Sequence, residues 1–333
     1  MLQSPRSSIW LSILALAGCA SAAQPMGVKT AAPHWSTDDQ VVIAADGYRL
    51  PVRRWLPEGP MRAVIVAVHG FADYSIAFAE AGPWLAKAGF AVYAYDQRGF
   101  GATANPGVWP GTATLVADLA TMTHLIAACH PQTPLYLLGE SMGGAVVITT
   151  LARTGAVVLP PIAGIVLSAP AVWGRKTMPW YHRASLWLAN GLVPGLEVTP
   201  PRNLGIMPSD NIEMLIARGR DPLVSHSFRI DTLDGLTDLM SEAMAAAPGL
   251  TVTSLTLFGV HEQVLARPPV VALVSRLLED KRRVAVYSDG WHMLLRDHNR
   301  EQVLTDIAAW ISDPAAPLPS GAEHAALAKI GQR

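Results

Sequence analysis

Ser141 stands in Gly139-Glu140-Ser141-Met142-Gly143, between an apolar run of strand character, Leu135 to Leu138, and a helix-like run, Ala145 to Ile148. A G-x-S-x-G sequence set between a strand and a helix is a nucleophile elbow: the serine occupies a strained turn, and glycines leave room where the two backbones approach. A serine hydroxyl becomes a nucleophile when a base takes its proton. An imidazole base in turn needs a carboxylate to fix its tautomer and stabilise its charged form. The oxyanion that develops on an attacked carbonyl needs backbone N–H donors fixed in advance. Met142, directly after the serine at the positive end of the following helix, supplies one donor. His69-Gly70-Phe71, at the end of an earlier apolar strand, offers the Phe71 N–H as the second, with His69 ordering the loop.

Such groups must be held by a sheet. Gln40 to Ala45 and Tyr48 to Trp55 read as strands joined by Asp46-Gly47, a hairpin signal. Ala63 to Val68 and Ala91 to Tyr95 are continuous apolar runs, the pattern of strands buried on both faces, with a helical stretch, Ala77 to Ala88, between them. Helix is predicted over Gly111 to His130 and Ser141 to Thr154, strand over Ile162 to Leu167 and Thr253 to Phe258. Then follow a helix at Val270 to Leu278, a strand at Arg283 to Tyr287 and a helix at Gln302 to Ile311. This alternation predicts an α/β fold: a mainly parallel sheet with helices on both faces. The roughly eighty residues between Ser168 and Thr253 exceed what a crossover needs. Their apolar content, with Trp173, Trp180, Tyr181 and Trp187, predicts an inserted helical cap over about 171–232, above the sheet edge where open α/β folds bind ligands.

The ordering resembles the α/β-hydrolases, in which an acid and then a histidine follow the serine along the chain. Of ten histidines, His292 follows a late buried strand, in Tyr287-Ser288-Asp289-Gly290-Trp291-His292, and is the expected base. His261 precedes that strand, and His298 lies in the approach to the closing helix. Glu262 is the first carboxylate after the Thr253 to Phe258 strand and the expected acid, with Asp289 as its rival. His69-Gly70-Phe71, Asp96-x-Arg98-Gly99-x-Gly101, the Gly139 to Gly144 elbow, Gly259-x-x-Glu262 and Gly290-x-His292 together resemble the monoacylglycerol lipase and lysophospholipase-like branch, also grouped with serine aminopeptidases. The likeness covers nearly all of residues 39–313, although many members carry His at the place of Glu140 and Asp at the place of Glu262. It implies a serine esterase acting on lipophilic acyl groups through an acyl-enzyme, with no metal or organic cofactor. An aminopeptidase of the same fold, or a non-catalytic hydrolase-like binding protein, is the alternative.

With 333 residues, 50% hydrophobic and 15% charged, the chain can bury the core of one large domain with an insertion. A net charge of -1, with no basic run interleaved with aromatics, argues against a nucleic-acid partner. Two cysteines make no metal framework, and Cys129 reads as a small buried or half-buried residue. Arg6 and the apolar run Ile9 to Leu16, too short to span a bilayer, precede Leu16-Ala17-Gly18-Cys19. This segment, 1–19, resembles a signal peptide with a bacterial lipobox and implies lipidation at Cys19. The expected product is an exported lipoprotein anchored to the cell envelope, periplasmic or on the outer face, whose partners are the membrane and a lipophilic ester. A conventional signal peptide cut near Ala20 to Ala23, or an unprocessed N-terminus, is the competing reading. Residues 20–38 read as a tether, 39–313 as the hydrolase domain and 314–333 as a flexible tail.

Overall fold

The computed structural model describes residues 22–24, 27–28, 32–152, 158–201, 205–324 and 329–330, so Cys19 and the expected signal segment lie outside the described residues. The strands are β1 (His34–Trp35), β2 (Val41–Ile43), β3 (Arg49–Trp55), β4 (Ala63–Val68), β5 (Phe90–Tyr95), β6 (Leu135–Glu140), β7 (Gly164–Ser168), β8 (Glu197–Val198), β9 (Phe228–Arg229), β10 (Ser254–Gly259) and β11 (Arg282–Tyr287). The helices are α1 (Ala81–Lys87), α2 (Thr112–Cys129), α3 (Met142–Ala152), α4 (Trp180–Leu192), α5 (Ile212–Arg220), α6 (Ile230–Ala246), α7 (Arg267–Arg276) and α8 (Arg300–Ser312).

One sheet runs β1-β2-β3-β5-β4-β6-β7-β10-β11; β8 and β9 form a separate two-stranded ladder. The first three strands pair antiparallel, and β3 also meets β5 antiparallel. From β5 to β11 every pairing is parallel. Side chains alternate across a strand, so β4 serves both faces. Val64, Val66 and Val68 join Leu115, Leu119 and Met122 of α2 and Val146 and Val147 of α3. Ile65 and Ala67 join Leu85 of α1 with Ile307 and Trp310 of α8 on the other side. Continuous apolar runs are therefore what the central strands require, and β4, β5 and β6 are buried at every residue.

Between β7 and β10 the chain makes α4, α5 and α6. Helix α6 starts at Ile230, inside the expected cap boundary, and its Leu239 and Ala243 share a core with Val146 and Val147 of α3. At the ends the structure departs from the sequence reading. His34–Trp35, expected in the tether, pairs with β2, and Gln24 donates to the carbonyls of Asn105 (3.2 Å) and Val108 (2.5 Å). The expected flexible tail instead buries Leu318 and Ile330, and Ser320 N–H donates to Asp306 at 3.0 Å. A few apolar anchors and one buried carboxylate hold a segment whose Ala and Pro content suggests fraying. Cys129 is exposed.

Candidate active site

Ser141 links β6 to α3 at φ 52°, the left-handed region that a residue with a Cβ enters at a cost. The turn is held on both sides: Ser141 N–H donates to Ser168 O at 2.9 Å, and its carbonyl accepts from Gly144 N (2.9 Å) and Ala171 N (2.9 Å). Glycine is obligatory beside it. A Cβ on Gly143 would sit 2.0 Å from the Val68 carbonyl oxygen, and one on Gly139 2.6 Å from the Gly144 Cα. Gly70 brings the loop after β4 alongside, where a Cβ would lie 3.3 Å from the Ser141 Cβ, a tight contact.

Ser141 Oγ and His292 Nε2 are 3.1 Å apart, and His292 Nδ1 is 2.8 Å from Glu262 Oε2. The other carboxylate oxygen, Oε1, accepts from Val264 N (2.7 Å) and Leu265 N (2.9 Å). Both oxygens are thus fixed, and the Nδ1–H tautomer follows, leaving Nε2 free to accept from the serine hydroxyl. The turns carrying the acid and the histidine abut: His261 N–H donates to Gly290 O at 2.9 Å, and a Cβ on Gly259 would lie 2.2 Å from that oxygen. Burial disfavours charge on His292, but the adjacent Glu262 carboxylate outweighs it and holds the imidazole above its ordinary pKa. Burial likewise opposes ionisation of Glu262, yet His292 and the two backbone donors keep its carboxyl below its usual range. Asp289 does not reach the histidine; it is exposed, with Ser288 Oγ 3.3 Å from its Oδ2.

The Phe71 and Met142 N–H groups have no hydrogen-bond partner among the described residues, and both residues line the cleft over Ser141. His69 is buried; Gln97 N–H donates to its Nε2 at 2.9 Å, so its Nδ1–H donates to Gly70 O at 2.8 Å. Burial pushes its pKa down, which suits a neutral ring that orders the loop. Arg98 is a structural cation, bonded to Asp118 at 2.9 and 3.0 Å and to Asp46 at 2.5 Å.

A buried charge cluster beside the serine went unread in the sequence. Arg296 donates to Asp73 at 2.8 Å and to Glu140 at 2.6 Å, and Arg218 of α5 donates to Asp73 at 3.2 Å and to Ala72 O at 3.1 Å. The signal available was three charged residues, Asp73, Glu140 and Arg296, each within four residues of a motif position. The segment before α5 is also tied to the histidine loop. Ser209 Oγ donates to Asp297 at 2.6 Å, Met293 N–H to Pro208 O at 2.9 Å, and Asp297 also accepts from Trp291 N at 2.7 Å. Asp73, Glu140, Arg218 and Arg296 border a cleft of about 350 Å³, whose walls include Phe71, Trp173, Leu236, Met240 and Leu265. Such a site can transfer an acyl group from an alcohol to water.

Residues 59–299 match the family model described as serine aminopeptidase, S33. The monoacylglycerol lipase of Mycolicibacterium smegmatis is 28% identical over 80% of this chain and 93% of its own. The human monoglyceride lipase is 26% identical over 83% of this chain and 90% of its own. In structure, the Paleococcus ferrophilus monoacylglycerol lipase superposes with a TM-score of 0.65 at 22% identity, covering 79% of this chain and 98% of that one. A soluble variant of the Saccharomyces cerevisiae monoglyceride lipase gives 0.69 at 17% identity, covering 87% and 98%. With its mainly parallel sheet and the match over residues 59–299, the chain belongs to the serine aminopeptidase S33 family of the α/β-hydrolases.

Proposed function

We propose that this carboxylic ester hydrolase acts on monoacylglycerols or similar single-chain lipid esters, with Ser141 as nucleophile, His292 as base and Glu262 as its orienting acid. The observation that carries the reading is the unbroken series from Ser141 Oγ through His292 to Glu262, at 3.1 and 2.8 Å. The hydroxyl proton passes to His292 Nε2 as Oγ bonds to the ester carbonyl carbon. The Phe71 and Met142 N–H groups hold the resulting oxyanion. His292 then gives the proton to the leaving alcohol oxygen as the C–O bond breaks, leaving an acyl-enzyme. Water, deprotonated by the same imidazole, attacks the acyl carbon, and Ser141 departs with its proton restored.

The apolar cleft walls support a lipophilic acyl group, and the two relatives bear lipase names. The lipobox-like Cys19 supports anchoring to the cell envelope, where such lipids occur. The test compares release of fatty acid from 2-oleoylglycerol, hydrolysis of p-nitrophenyl esters of increasing chain length, and cleavage of aminoacyl p-nitroanilides. Turnover of the monoacylglycerol, abolished in Ser141→Ala, is the expected outcome. Preference for the anilides contradicts the substrate class. For localisation, Cys19→Ser should leave the membrane fraction; equal retention contradicts the anchor.

A further inference from the structure

The loop that carries the Phe71 N–H is gripped at four successive residues by the segment inserted between β7 and β10. The Phe71 ring meets Phe228 of β9 with centroids 4.9 Å apart, and Phe100, in the turn after β5, with centroids 5.7 Å apart. The Ala72 carbonyl accepts from Arg218 Nη2 at 3.1 Å, and the Asp73 carboxylate accepts from Arg218 Nε at 3.2 Å. The Tyr74 hydroxyl donates to Asp221, directly after α5, at 2.7 Å. Within this run Ala72 is strained. It is buried at φ 60°, in the left-handed region where a Cβ crowds the following carbonyl oxygen. An Asn or Asp at such a place can hold the turn with its own side chain, but a methyl group makes no hydrogen bond. The conformation therefore persists because neighbouring groups impose it. Arg218 is placed to do so, since its planar fork takes the carbonyl of Ala72 and the carboxylate of the next residue together.

Helix α5 can impose a position because polar contacts fix both its ends. It buries none of its nine residues, so core packing does not place it. At its start Asn211 accepts from Met214 N at 3.1 Å, which caps the helix, and donates to Arg296 O at 3.0 Å. Together with the bonds of Pro208 and Ser209 to Met293 and Asp297, this ties the helix to the loop of His292. At its end Arg218 and Asp221 meet the loop of Phe71. The helix is thus a strut of about 14 Å between the loop of the base and the loop of the oxyanion donor. If Ala72 relaxed toward negative φ, the peptides on both sides of it would turn. The Phe71 N–H, one residue back, would lose its aim over Ser141.

We propose that Arg218 is a positioning residue for acyl transfer: it holds Ala72 in the left-handed turn and so aims the Phe71 N–H at the developing oxyanion. The proposal rests on the ester-hydrolase reading, in which that N–H is a donor. Arg218 also borders the cleft, so the test has to separate positioning from contact with the leaving alcohol. Hydrolysis of p-nitrophenyl butyrate and of 1-butyrylglycerol, which share an acyl group and differ in the alcohol, is measured for wild type, Arg218→Met, Ala72→Gly and the double variant. Arg218→Met should lower kcat and kcat/KM alike, by at least about tenfold and on both esters, because misplacement by ~1 Å costs up to about 10²-fold. Affinity for a trifluoromethyl ketone, which forms a hemiketal oxyanion on the serine, should fall by the same factor. In the Ala72→Gly background positive φ carries no Cβ penalty, and Arg218→Met should there cost less than about threefold. Circular dichroism should be unchanged throughout. A loss confined to KM or to the glyceryl ester assigns Arg218 to substrate contact and overturns the proposal. So does an equal loss in both backgrounds, an unchanged kcat, or a fold lost in Arg218→Met. A wild-type chain that hydrolyses neither ester contradicts the ester-hydrolase reading, and the proposal falls with it.

Discussion

Replacing Arg296 by Met removes the guanidinium that joins Asp73 and Glu140 while keeping much of its apolar bulk. All three residues are buried, with residual exposures of 5%, 2% and 2%. Burial by itself would raise the Asp73 carboxyl, yet Arg296 foremost, and Arg218 after it, pull it from 3.8 down to about 2. At ~1.4 kcal/mol per pH unit, that displacement stabilises the folded state at neutral pH by about 2 to 3 kcal/mol. In the variant, Asp73 keeps Arg218 and the Tyr74 N–H, and Glu140 loses the one cation bonded to it among the described residues. An uncompensated buried carboxylate adds its own penalty, so the expected loss at pH 7 is about 3–5 kcal/mol. The sign with pH follows from the same displacement. Native Asp73 has a lowered pKa, so its contribution is intact above pH ~4 and disappears only as the pH falls toward ~2. In Arg296→Met the Asp73 carboxyl, without its foremost cation, takes up a proton at higher pH, which relieves part of the penalty, so the gap between variant and wild type should narrow from pH 7 to pH 5. Urea unfolding followed by circular dichroism at both pH values measures it. A loss under about 1 kcal/mol at pH 7, or a gap that widens on acidification, refutes the reasoning.

Three further outcomes are expected. With His292 held above its ordinary pKa of 6.5, kcat/KM for a soluble ester should rise with pH through an inflection above that value, and Glu262→Gln should move the inflection down while lowering kcat roughly 10³–10⁴-fold; an unmoved inflection speaks against the Glu262 contact. Burial raises Asp297 to about 7, so the folded chain binds a proton there that the unfolded chain has released. Stability should therefore decline as pH rises from about 4 to about 7, and Asp297→Asn should flatten that interval in denaturant titrations. Ending the chain after Asp313 exposes the sites of Leu318 and Ile330, and the expected loss of at least about 2 kcal/mol is measured by the same urea titration; unchanged stability contradicts a packed C-terminal segment.

The central strands and the positions of Ser141, Glu262 and His292, which the fold brings together, were legible because each depends on a local pattern. Runs such as Ala63 to Val68 have to be continuously apolar when both faces are covered, and Gly139, Gly143 and Gly259 stand where any Cβ would meet backbone. The rivalry between Glu262 and Asp289 was open in the sequence because both carboxylates follow late strands. The fold separates them, since the Gly259 and Gly290 turns touch and carry Glu262 under the imidazole while Asp289 faces outward. What could not be read was long-range pairing between short polar segments. Arg296 meets Glu140 across 156 positions and Asp73 across 223, and no periodicity encodes such contacts. The ends were misjudged for a related reason: Trp35, Leu318 and Ile330 are isolated anchors in Ala- and Pro-rich surroundings, and composition averages them away.

Treating the protein with a fluorophosphonate and locating the adduct by peptide mass spectrometry tests most directly whether Ser141 is activated by His292 and Glu262. The expected result is a single adduct on the peptide containing Ser141, absent in Ser141→Ala and strongly slowed in His292→Ala. Labelling that persists in Ser141→Ala, or a wild-type protein that takes up no label, contradicts the account.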